Sequence, residues 1–101
     1  MDKASRKRLK HQVRDQERAA ALRAFPLPTS ALEEMFEAVD ADFKLLGCDK
    51  TRRLTKAWLL DRGHDVDRVF AWLDAHGGFC DCEVVSNARQ HFNDAKLAAL
   101  N

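Results

Sequence analysis

Apolar positions in this chain recur at three- and four-residue steps, the period of a helix buried along one side. Leu32, Met35, Phe36, Val39, Phe43 and Leu46 form one such stripe, with Glu33, Glu34 and Glu37 toward the opposite face. The pattern predicts a helix over residues 30–46, opened by Ser30 and Glu33 at capping-box spacing and ended by Gly47. A second helix is predicted from about Thr51 to Arg62, capped by Asp49, lined inside by Leu54, Ala57 and Trp58 and stopped by Gly63. The short turn Gly63-His64-Asp65 leads to a third, with Val66, Val69, Phe70 and Leu73 on one stripe, Asp65 as cap and Gly77-Gly78 as terminator. Together the second and third make an αα-hairpin. Asn87 and Gln90 repeat the capping-box spacing for a last helix to about Leu100, with Ala88, Phe92, Ala95 and Ala99 on one side.

Two segments depart from this pattern. Residues 1–24 are rich in helix formers but carry only a thin apolar stripe, so they read as a charged helical arm, ended by the prolines of FPLP at 25–28. The stretch FCDCEVV from Phe79 follows a glycine pair and is rich in β-branched residues, which predicts an extended piece over residues 79–85. The expected architecture is therefore mainly α, one globular domain over 25–101 behind the basic arm, with α+β as the alternative.

Composition narrows the class without changing that picture. A chain of 101 residues has room for one domain, and 46% hydrophobic with 33% charged residues is a globular balance. No apolar run approaches the length of a membrane helix, and the charged start is unlike a secretory signal, so a cytoplasmic location is expected. The net charge of +1 hides a split: residues 1–18 hold seven Lys/Arg against three Asp/Glu, leaving ten against thirteen. The arm, with Arg6, Lys7 and Arg8, is thus a candidate contact for a protein partner or for nucleic acid phosphates. The predicted hairpin offers Arg68 against Asp67 and Asp74, a poor recognition helix, which places nucleic acid second.

The candidate chemistry lies in the cysteines. Three is an odd number, which speaks for free thiols or metal thiolates over a disulfide scaffold. In an extended segment Cys80 and Cys82 share one face, two thiolates for one ion; Cys48, at another helix junction, is a third candidate. His76 is the candidate fourth ligand, with His64 as its alternative. Against this stands the reading of the three as small packed residues with inert thiols. Asp81 and Glu83 beside the thiols disfavour a nucleophilic thiolate, and no phosphate loop or nucleophile elbow is present, so no enzyme is expected. Trp72 falls about 120° around its helix from Val66, at the edge of the core stripe, where a part-exposed tryptophan would anchor a partner.

The strings CDKT (48–51), Trp72-Leu73 and GGFCDCEVVSN (77–87) resemble a small bacterial family of unknown function, whose members carry C-D-H-T, then W-L, then G-G-Y-C-D-C-E-V-L-A-N. The resemblance spans about residues 25–92 and implies that Cys48, Asp49, Cys80, Asp81, Cys82, Glu83 and Asn87 act as one pattern. Lys50 stands where that pattern has histidine, so a metal here would recruit another ligand. The functional expectation is a small cytosolic binding or regulatory module, of adaptor or toxin-neutralising type, with zinc as its one candidate cofactor.

Overall fold

In the computed structural model, residues 24–100 are described. The expected basic arm, Arg6, Lys7 and Arg8 included, lies outside them up to residue 23. Helix α1 (Thr29–Leu46) is followed by α2 (Arg53–Asp61) and α3 (Val66–Ala75). A short α4 (Asp81–Glu83) runs without a break through a π-helical turn (Val84–Ala88) into α5 (Arg89–Leu100). The fold is mainly α, and among the described residues there is no strand.

The stretch expected to be extended is therefore helical from Asp81 onward. Only Cys80 is extended, at φ −144° and ψ 168°, as the residue that caps α4. β-Branched propensity lost there because Val84 and Ala88 are fully buried on the same helical face. Asn87 consequently sits inside the helical run and caps nothing; its Nδ2 donates to the Gly77 carbonyl at 3.1 Å. The π-helical turn seats this contact and also lays Ala88 against Gly78.

Helix boundaries follow backbone rules more than the expected caps. α1 starts one residue before Ser30, with Pro28 as cap at φ −54°, and no side chain caps it. Its end is as expected: Gly47, at φ 76°, donates its N–H to the Phe43 carbonyl. α2 closes in a Schellman motif, His64 N–H to Leu59 O at 2.9 Å and Gly63 N–H to Leu60 O at 3.2 Å. Asp65 caps α3 as expected, accepting from the Arg68 N–H at 3.2 Å. Gly77 then turns at φ 76°, and the Gly78 N–H bonds Leu73 O at 2.8 Å.

The core takes Leu32, Met35, Phe36 and Val39 from α1, Leu59 from α2, Val69 and Leu73 from α3, and Val84, Ala88 and Phe92 from the last helical run. On α2 the inward face is Leu54, Thr55 and Leu59, while Ala57 is exposed and Trp58 half-buried, a rotation from the expected face. Trp72 corrects the sequence reading. It is 8% exposed and packs edge-on to Phe25 at 6.0 Å and tilted on Phe36 at 6.4 Å, so it is a core residue and no surface anchor. Helix α1, with Phe25 ahead of it, covers the side of α3 that the Val66 stripe alone would leave open.

Candidate metal centre

The site is built where the loop before α2 meets the start of α4. One group does most of the joining: Asp81, fully buried, accepts from the Leu54 N–H at 3.1 Å on one oxygen. Its other oxygen accepts from the Thr55 N–H at 3.1 Å and the Thr55 hydroxyl at 2.8 Å. Leu54 and Thr55 belong to the first turn of α2, whose N–H groups have no partner within their own helix. Asp81 is thus the cap of α2, supplied from a distant part of the chain. Its own N–H donates to Thr51 O at 3.0 Å, so the two segments are tied twice. The carboxylate charge lies where two helix N-termini converge, which is where a buried anion is best stabilised.

Asp49, the cap expected for α2, does something else. It accepts from the N–H and hydroxyl of Thr51 and pairs with Arg53 at 3.0 Å. The Thr51 hydroxyl, followed by its N–H and by Arg53, holds the Asp49 carboxyl below the usual range. Asp49 therefore shapes the CDKT loop, where Lys50 adopts φ 72°, a left-handed conformation. Arg52, which the sequence reading passed over, pins the other side. Its Nη1 reaches Asp74 at 2.7 Å and the carbonyls of Phe70 and Gly78 at 3.4 and 3.3 Å, with its guanidinium 4.0 Å above the Phe70 ring. No periodicity marks such a residue; an arginine before a helix start was its only signal.

These ties bring three sulfurs together. Cys48, Cys80 and Cys82 place their Sγ atoms within 4.8 Å of one another, and all three are free thiols. Cys80 and Cys82 are 3.1 Å apart. Zinc–sulfur bonds of about 2.3 Å set the sulfurs of a tetrahedral site about 3.8 Å apart. The Cys80–Cys82 pair lies inside that spacing and all three sulfurs stay within 4.8 Å of one another, so the donor set could hold a thiophilic ion. The thiols differ in readiness. The Cys82 and Lys50 backbone N–H groups lower the Cys48 pKa, the latter lying 3.4 Å from its sulfur. Burial, then the Cys82 thiol, push Cys80 up to about 12. A bound cation would deprotonate Cys80, so uptake would release protons.

His76 and His64 do not join this group. His76 stacks on His91 with ring centroids 3.6 Å apart and lies 5.2 Å from Trp72. Burial, then the His91 charge, lower its pKa. His64 stacks on Trp58 at 5.5 Å. Both rings are engaged by aromatic neighbours, and among the described residues the clustered ligand atoms are the three sulfurs.

A small helical protein, with a carboxylate clamp joining two helix starts and three thiols gathered beside it, is the class defined by this geometry. The chain belongs to a protein family of unknown function, DUF2695, whose pattern matches residues 35–87 and so includes Cys48, Cys80, Asp81, Cys82 and Asn87. This agrees with the bacterial family that the CDKT and GGFCDCEVVSN strings resemble. Uncharacterized protein Rv2271 of Mycobacterium tuberculosis and Uncharacterized protein Mb2294 of Mycobacterium bovis are each 30% identical to it over 86 residues, 85% of this chain and 87% of the relative. No solved structure matches the chain. Among the described residues no helix is long and apolar enough to cross a membrane.

Proposed function

We propose that this protein is a small binding or regulatory module whose functional end is locked by zinc on Cys48, Cys80 and Cys82. The observation that carries the reading is the convergence of three free sulfurs from two separate segments within 4.8 Å. Packing alone does not call for it. Cys48 and Cys82 are only half-buried, and none of the three cysteines belongs to the core cluster. A partner surface at the same end is supported by three exposed apolar side chains beside the cysteines in sequence: Leu45 (84% exposed), Leu46 (62%) and Phe79 (57%). Apolar groups of this size, next to a rigid junction, suit recognition of another protein. The thiols are assigned to holding that surface and not to turnover, since among the described residues no histidine clusters with them to act as base.

The test is metal content per chain by mass spectrometry on protein purified under reductant without chelator. About one zinc per wild-type chain is expected, with loss in Cys48→Ser and in Cys82→Ser. Wild-type protein without zinc, and unable to take it up on addition, would return the cysteines to the role of packing residues.

A further inference from the structure

We infer that Glu83 is the fourth ligand, closing the centre as a three-thiolate, one-carboxylate site. This rests on the zinc reading above and adds a residue to it. The Glu83 carboxylate oxygen Oε1 lies 3.5 Å from Cys80 Sγ. Bonds of about 2.3 Å to sulfur and about 2.0 Å to carboxylate oxygen, opened to the tetrahedral angle, set those two atoms about 3.5 Å apart. Glu83 is therefore already at ligand spacing from one of the three sulfurs. It lies three residues after Cys80, in the first turn that Cys80 precedes, and its side chain would rotate to bring the oxygen from Cys80 toward an ion held by all three sulfurs.

The neighbouring alternatives are committed elsewhere. Asp81 has both oxygens on the start of α2. Asp49 is occupied by Thr51 and Arg53, and His76 by His91. Among the described residues, Glu83 forms no ion pair. Three thiolates and a carboxylate around a divalent ion leave a net charge of −2. That charge would sit at the start of the long helical run from Asp81, whose positive end favours it.

Cobalt(II) substitution tests the assignment, because thiolate-to-cobalt absorption scales with the number of bound sulfurs. In Glu83→Cys this absorption per bound cobalt should rise by about a third, as three thiolates become four. In Glu83→Ala zinc affinity should fall by about tenfold or more with helix content unchanged. A Glu83→Cys spectrum identical to wild type, or an unchanged zinc affinity in Glu83→Ala, would overturn the role of Glu83 and leave the three-cysteine site standing. Wild-type protein that takes up neither cobalt nor zinc would overturn both.

Discussion

Asp81 and the cysteines on either side of it stand together at one helix start yet are treated in opposite ways by the fold. The Asp81 carboxylate accepts three hydrogen bonds and is fully buried. The sulfurs of Cys80 and Cys82 chiefly face each other and Cys48, with one buried and two half-exposed. The first group is complete within the protein; the second leaves three sulfurs within 4.8 Å of one another, a set that could hold a cation. The difference separates, within a run of three residues, a carboxylate satisfied by the fold from the thiols to which the proposed metal role is assigned. Asp81 explains why the two segments meet, and the thiols use the meeting. A string such as C-D-C-E thus interleaves a fully satisfied buried carboxylate with thiols gathered beside it.

Removing Asp81 should have the largest effect. In Asp81→Ala two N–H groups and one hydroxyl at the start of α2 stay buried without a partner, which costs about 3–5 kcal/mol. That is much of the stability of a small domain. Urea unfolding should show it, and Thr55→Val, which deletes one of the three donors, should lose about 1 kcal/mol. The comparison also forecasts a second consequence: Asp81→Ala should weaken zinc binding although Asp81 touches no metal, because Cys48 is no longer held against the α4 start. Full zinc affinity in the Asp81 variant, measured where it is still folded, would break the claimed division of labour.

Much of this was legible in the sequence. The apolar stripe of α1 from Leu32 to Phe43, that of α3, Gly47 and Gly63 as stops, and Asp65 as a cap are local, and local rules located them, whereas Leu46, expected on the α1 stripe, is 62% exposed past the last core contact. The three cysteines were also identified, though through an extended geometry that the fold replaces with a capping residue and a helical turn. What escaped was non-local. A cap normally precedes its helix, so Asp49 was the natural candidate for α2, and nothing in the spacing reveals that the carboxylate arrives from Asp81. The same holds for Trp72, whose burial depends on Phe25 and α1, and for His76, whose partner His91 is a helix away.

A smaller loss is expected at Gly78. A Cβ there would lie 3.3 Å from both the Ala88 Cβ and the Leu73 Cδ2, tighter than comfortable packing. Gly78→Ala should cost about 1–2 kcal/mol as the α3 end shifts from the π-helical turn. This contact is with the core residues Ala88 and Leu73 and not with the cysteines. The variant should therefore unfold earlier in urea but keep its zinc, and loss of zinc at wild-type stability would reverse that reasoning.

The smallest effect concerns His76, and it decides between its two possible roles. Burial and the stacked His91 lower its folded pKa, so the unfolded chain, with an ordinary histidine, binds a proton that the folded chain refuses. The stability this represents is present above the unfolded value near 6.5 and is lost as pH falls through the lowered folded value. Unfolding midpoints should accordingly drop on acidification, and His76→Gln should flatten that limb. Glu83, Cys48, Cys80 and Cys82 would impose an acid limb of their own through proton competition for the ion, but only while metal is bound. The informative experiment is thus the pH series with a strong chelator present. A His76-dependent limb that persists without metal fits a ring packed on His91 and Trp72. A limb that vanishes with the metal would move His76 into the centre, and with it the boundary between the clamp and the thiols.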